Sequence, residues 1–244
     1  MKTERGKRKT DRCQKVWQDI LSFPPSPFHS IKFSVFTFHI SVKTMVFATN
    51  NEHKLREIRQ ILGDKIEIQS LAEIGCTEEI PEDADTLEGN ALQKARYVAE
   101  KYGVDCFADD TGLHVDALDG APGVFTARFG TMNGFGDSHD ATANIRCLLA
   151  KMEGRHDRTC RFRTVIALVL HKSEGGLEEH LFEGIVEGKV VTGLRGENGF
   201  GYDPVFEVEE TGLTFAEMGP EGKNAVSHRA RAVARLAEFL HNRR

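Results

Sequence analysis

Asp109-Asp110-Thr111-Gly112 follows a short apolar run that reads as a strand. Carboxylates in that position suit Mg2+, which takes one or two of them together with waters and substrate phosphates. Successive strand residues face opposite sides, so one of the two aspartates is expected to face a site. The same four residues also fit an ordinary Asx-turn. Thr49-Asn50-Asn51-Glu52-His53-Lys54 joins another strand end to a helix start. Free amides there attract phosphate, and the hydroxyl, the side-chain amides and the Lys54 ammonium would complete an anion cradle without a glycine loop. The plain alternative is N-capping by Asn50 or Asn51. Residues 196 to 203 read Gly-Glu-Asn-Gly-Phe-Gly-Tyr-Asp. Glycines let a backbone approach a ligand and an exposed Phe200 would stack on a flat base, unless the loop is a hairpin with its aromatics in the core.

Two charges fall on apolar helix faces. At about 100° per residue, Leu87, Ala91, Leu92, Ala95, Val98, Ala99 and Tyr102 form one stripe, with Glu88 inside it and Gln93, Lys94, Arg96, Glu100 and Lys101 outside. A buried carboxylate is costly without a cation or donor, so Glu88 either has a partner or lies at the rim of the first turn, where the helix dipole favours it. Val226, Ala230, Val233, Leu236, Ala237 and Leu240 form a second stripe with Arg229 near its centre. A cation in a first turn opposes the dipole, so Arg229 calls for an anion or an acceptor-rich group beside it. His228 and Lys223 add donors at the same end.

The elements that must position these groups follow from periodicity and caps. Strands are expected at 46–49, 66–71, 104–108, 113–118, 160–171, 179–191, 205–208 and 214–215, with a turn at Thr111-Gly112 and a hairpin through Gly175-Gly176. Helices are expected at 52–62, 87–102 (capped by Asp85 or Thr86), 141–151 and 227–240. Strands mixed with helices, partly in hairpins, predict an α/β fold with a mixed sheet. The chain has 244 residues, 40% of them apolar, which fits one domain of about 200 residues from Met45 onward. Its five cysteines are odd in number and never form C-x-x-C, which argues against a disulfide framework or zinc ribbon and for a reducing cytoplasmic setting. Cys106 and Cys160 read as core, and the basic run of Arg155, His156, Arg158, Arg161 and Arg163 as a solvated patch. No stretch of 18 apolar residues offers a membrane span. Residues 1–44 carry nine Lys and Arg against three Asp and Glu, whereas the rest carries 23 against 34. So acidic a body is a poor nucleic-acid binder. Residues 1–44 are expected to be a leader outside the core domain, 45–244, with Met45 the physiological start.

Together, Thr49-x-Asn51-x-x-Lys54, Glu88-x-Asn90-Ala91, Asp109 to Leu113, Gly120-Ala121-Pro122-Gly123, Phe200-Gly201-Tyr202-Asp203-Pro204 and Ser227-His228-Arg229-Ala230 resemble the inosine triphosphate pyrophosphatase family, the RdgB/Ham-type nucleotide hydrolases. Six separated blocks in register are far more specific than any one. Thr111 stands where serine is common in that family. The resemblance implies an elongated α/β fold in which a long, twisted mixed sheet is flanked by helices and two lobes surround a central cleft, usually as a homodimer. It also implies Mg2+-dependent hydrolysis of noncanonical purine nucleoside triphosphates such as ITP, dITP and XTP to the monophosphate and pyrophosphate. By motif position Thr49, Asn50, Asn51, Glu52, His53 and Lys54 would hold phosphates. Glu88 and Asp110 would serve the metal, with Asp110 activating water, and Thr111 would contact substrate. Phe200, Gly201, Tyr202 and Asp203 would stack on and frame the base, and Lys223, His228 and Arg229 would complete the contacts. The partners implied are a nucleotide and a second copy of the chain, with no nucleic acid and no membrane. Two alternatives stay open: a Maf-like pyrophosphatase for modified pyrimidine nucleotides, against which the Phe200 and Ser227 blocks argue, and a non-catalytic nucleotide-binding protein.

Overall fold

The computed structural model describes residues 43–63, 66–137 and 139–243; Cys13 and the expected leader up to residue 42 lie outside the described residues. Seven strands form one mixed sheet: β1 (Lys43–Phe47), β2 (Ile66–Gln69), β3 (Cys106–Val115), β4 (Pro122–Gly123), β5 (Thr159–His171), β6 (Leu177–Val190) and β7 (Phe206–Val208). Their order is β2-β1-β3-β5-β6-β7, with β4 also on β3. β1 runs parallel to β2 and β3, and the remaining pairings are antiparallel. The helices are α1 (Glu52–Leu62), α2 (Leu87–Tyr102), α3 (Phe129–Met132), α4 (Ala141–Lys151), α5 (Pro220–Val226) and α6 (His228–Asn242). Among the described residues no helix is long and apolar enough to cross a membrane.

Side-chain alternation sorts β3 onto two cores. Phe107, with Met45 and Phe47 of β1, packs under Leu55, Ile58 and Leu62 of α1 and Val233, Leu236 and Leu240 of α6. Cys106 and Ala108 pack on the opposite face under Ala91, Ala95, Val98 and Ala99 of α2. A third core gathers Leu113, Val115 and Phe162 at the far ends of β3 and β5 with Leu148 of α4, Phe206 and Phe215. Polar Asp109, Asp110 and Thr111 sit between these cores.

β3 differs from the expectation of two strands and a turn. Thr111 and Gly112 continue the ladder opposite Thr164 and Arg163. Glycine serves close approach here, because a Cβ at Gly112 would lie 2.6 Å from the Gly123 carbonyl oxygen of β4. The chain turns later, at Asp119 and Gly120, both with positive φ. β5 lines one edge of β3 throughout, but on the other edge β1 ends opposite Phe107 and β4 starts opposite Leu113. Among the described residues, Ala108 to Gly112 therefore have no strand neighbour on that edge. The first strand begins at Lys43, two residues before Met45, and pairs there with Ile66.

Candidate active site

Asn51 caps α1: its Oδ1 accepts from the His53 and Lys54 amides at 3.0 and 3.2 Å, while Thr49 Oγ1 accepts from the Asn51 amide. N-capping thus uses two of the amides that the cradle reading reserved for phosphate. The Lys54 ammonium projects onto β3 and donates to Asp109 Oδ1 at 3.0 Å. Asn50 and Glu52 are exposed beside this turn.

The α1/α6 face of β3 carries a chain of alternating charge. Asp109 is buried and also accepts from Arg229 Nε at 3.2 Å and Thr111 Oγ1 at 3.2 Å. Burial alone would raise its pKa, but Lys54, Arg229 and Lys94 outweigh it and hold this carboxyl well below the usual range. Arg229 is 1% exposed; its guanidinium also donates to Glu57 and, at 3.4 Å, to Thr111 Oγ1. The anion that its place in a first turn demanded is therefore supplied from within the protein. Glu57 reaches on to Lys223 Nζ at 2.9 Å, and Lys223 donates to Asp203 Oδ2 at 2.7 Å. Burial pushes Asp203 up against the pull of Lys223. That oxygen also accepts from the Phe200 amide at 2.8 Å, and it would lie 2.0 Å from a Cβ at Gly199, whose φ is +81°. Glycine is thus required for the loop to wrap its own aspartate.

Phe200 lies half-buried at the end of this chain, with Lys223 Nζ 4.5 Å from its centroid and His53 stacked on it at 5.1 Å. His228, at the first position of α6, stacks on Phe162 at 4.6 Å. Burial, followed by Arg229 and Lys223, lowers its pKa far enough to keep the ring neutral, and its Nδ1 is buried with no partner among the described residues. Tyr202 is in the core, donating to the Thr126 carbonyl at 3.1 Å, so of the aromatic pair only Phe200 faces the charged chain.

Asp110 points to the α2 face. Its oxygens accept from Asn90 Nδ2 at 3.0 Å and the Thr111 amide at 2.9 Å. Burial raises its pKa and the nearby Glu82 raises it further, against the pull of Lys94 and Lys54. Lys94, 6% exposed, donates to Glu82 at 2.8 Å. Burial opposes its charge, but Glu82, Asp110 and Asp109 prevail and its pKa is raised. The segment before α2 is tied along the helix: the Ala84 amide donates to Asn90 Oδ1, Gln93 pairs with Asp83, and Glu78 accepts from Tyr102 and Lys101. Glu88 instead meets Arg163 of β5, which also holds Glu183. Its partner is thus a protein cation, and the carboxylate that bears on Asp110 is Glu82.

Lys94, Glu82 and Glu57 are the site residues that the sequence reading missed. Lys94 was legible: it lies seven residues after Leu87, within about 20° of it on a helix, and belongs on the buried face. Among the described residues no three His, Cys, Asp or Glu side chains gather as a metal-holding group. Mg2+ commonly takes only one or two carboxylates, with phosphates and water for the rest, and the buried Asp110 beside Glu82 is a donor pair of that kind.

Comparison with known proteins places these features in a wider set. The profile of the Ham1 family matches residues 45–239. The dITP/XTP pyrophosphatase of Porphyromonas gingivalis is 54% identical over 200 residues, covering 82% of this chain and 98% of that protein. The Bacillus subtilis protein of the same name is 42% identical, with 82% and 98% covered. The Ham1 protein of Staphylococcus aureus superposes with a TM-score of 0.72 at 34% identity, over 83% of this chain and 100% of the other.

Proposed function

Since the chain belongs to the Ham1 family, we propose that it hydrolyses noncanonical purine nucleoside triphosphates, among them ITP, dITP and XTP, to the monophosphate and pyrophosphate. The observation that carries this reading is the grouping on one stretch of β3 of a buried carboxylate, Asp110, with a lysine brought onto each face, Lys54 and Lys94, and an aromatic ring bordered by cations, Phe200, on the α1/α6 side.

Lys54 and Lys94 come from different helices onto opposite faces of β3 and supply the charges that a triphosphate needs. Binding exchanges their carboxylate partners, Asp109 and Glu82, for phosphate oxygens. Asp110 orients a water toward the α-phosphorus and accepts its proton. The new P–O bond forms as the bond to the bridging oxygen breaks, and pyrophosphate leaves with the bonding electron pair. Asp110 and Glu82 are the residues that would hold Mg2+, which when bound neutralises charge on the phosphate oxygens. Glu88 occupies the motif position expected of a metal ligand, but Arg163 already meets its charge, so Glu82 takes that role in this reading.

Base selection follows from donors at the other end. The 6-keto oxygen of hypoxanthine or xanthine accepts from cationic or imidazole N–H groups, whereas the adenine amino group would leave such donors unpaired. His228, Arg229 and Lys223 provide them. The test is pyrophosphate release from ITP, XTP, GTP and ATP, with and without Mg2+, by the wild type and Asp110→Asn. Metal-dependent release from ITP and XTP, slow release from ATP and loss in the variant are expected; equal rates on ATP and ITP would refute the base reading.

A further inference from the structure

His53 sits in the turn whose other residues point to phosphate, yet its ring does not lie over the helix start. It lies on Phe200 of the glycine-rich loop, centroids 5.1 Å apart and planes 22° from parallel. His53 is exposed, and among the described residues no hydrogen bond or ion pair holds its ring, so the stack is its contact. Phe200 is also approached by Lys223 Nζ at 4.5 Å and Arg229 Cζ at 5.9 Å, so its ring already borders the base-reading cations.

We propose that His53 is a base-binding residue: its imidazole and Phe200 form the two jaws of a clamp, and the purine of the substrate slides between them. This rests on the reading of Phe200 as the base platform. Two rings enclosing a third stand about 7 Å apart, twice the ~3.5 Å contact distance of stacked carbons, so the pair opens by at least about 2 Å. The backbone for that movement is present: Gly199 and Gly201 flank Phe200 with φ of +81° and +61°. A flat bicyclic base fills such a gap on both faces. With no base present the imidazole rests on Phe200 and keeps its apolar face from water. The clamp tightens any purine alike, while the 6-keto group is read at the ring edge by other residues.

The experiment compares two competitive inhibitors in Mg2+ buffer, IMP, which has a base, and inorganic tripolyphosphate, which has none. His53→Ala is expected to weaken IMP roughly tenfold, at the low end of base–aromatic stacking, and to leave tripolyphosphate within twofold. His53→Phe, which keeps a ring and discards both nitrogens, is expected to retain IMP affinity. Equal weakening of both inhibitors in His53→Ala would make His53 a phosphate ligand and overturn the proposal, as would no change in either. Phe200→Ala separates the two levels of the argument. If it weakens IMP while His53→Ala does not, the clamp alone fails; if it leaves IMP unaffected, the base platform fails with it.

Discussion

Asp109 and Asp110 are chain neighbours with opposite electrostatics, and replacing each with asparagine tests that directly. Asp109 is held ionised by Lys54 and Arg229, both of which it contacts in the interior. Asp109→Asn leaves Lys54 without its carboxylate and Arg229 with Glu57 as its one carboxylate among the described residues. Breaking a buried ion pair from one side costs about 3–5 kcal/mol, or roughly 6–20 °C in melting temperature for a domain of this size. Asp110→Asn removes a charge that burial disfavours, but its amide would face a donor, either Asn90 Nδ2 or the Thr111 amide, at about 1 kcal/mol. These terms oppose each other, so stability should stay within about 1 kcal/mol of the wild type while activity is lost. The pH dependences also differ in sign. The folded pKa of Asp109 is depressed, so its contribution is present above the unfolded value of about 3.9 and disappears only in strong acid. That of Asp110 is raised, so its contribution is complete below about 3.9 and is lost as pH rises through the folded value. Urea unfolding of the wild type and both variants at pH 3, pH 5 and pH 7 measures this, because the Asp109 dependence lies below about 3.9 and that of Asp110 above it. A loss in Asp110→Asn as large as in Asp109→Asn would show that the two environments have been assigned wrongly.

Glu82→Gln should raise the Mg2+ concentration needed for half-maximal activity about tenfold, whereas Glu88→Gln should leave it unchanged; a metal titration of both separates the carboxylates. Gly112→Ala should lower stability by about 1–3 kcal/mol, because its Cβ would meet the Gly123 carbonyl at 2.6 Å, and thermal melting reads this. Tyr202→Phe should cost about 1 kcal/mol for the lost bond to Thr126 while leaving KM for ITP unchanged, since the ring is in the core; a raised KM would return Tyr202 to the base pocket.

Local signals read well from the sequence. α1, α2 and α4 have the bounds that their stripes and caps predict, because Asn51, Thr86 and Asp140 accept from their own first-turn amides. α5 was missed because only Lys223 in it is buried, so it has no apolar stripe to find. β3 was divided at a glycine whose purpose, room for β4, depends on a residue eleven positions away. The motif blocks named Lys54, Asp110, Phe200, His228 and Arg229, and Lys223 was named as a donor just upstream of the last, but none of this could tell which carboxylate each cation meets. Glu82 lies in an acidic stretch without periodicity, which reads as solvated. Its place beside Lys94 is set by the Asn90 and Gln93 bonds that tie that stretch to α2.

The stretch of β3 from Ala108 to Gly112, largely buried but without a strand neighbour on one edge among the described residues, is a sheet edge inside a sheet. Edges usually recruit other chains, and proteins guard them with charge, brevity or cover. This one is short, ends against β1 and β4, and carries an aspartate on each face. An intruding strand would find too few residues to pair with and would bury two carboxylates to do so. The residues that equip this stretch for a nucleotide thus also protect it from aggregation, so a variant that neutralises both aspartates would give up solubility along with catalysis.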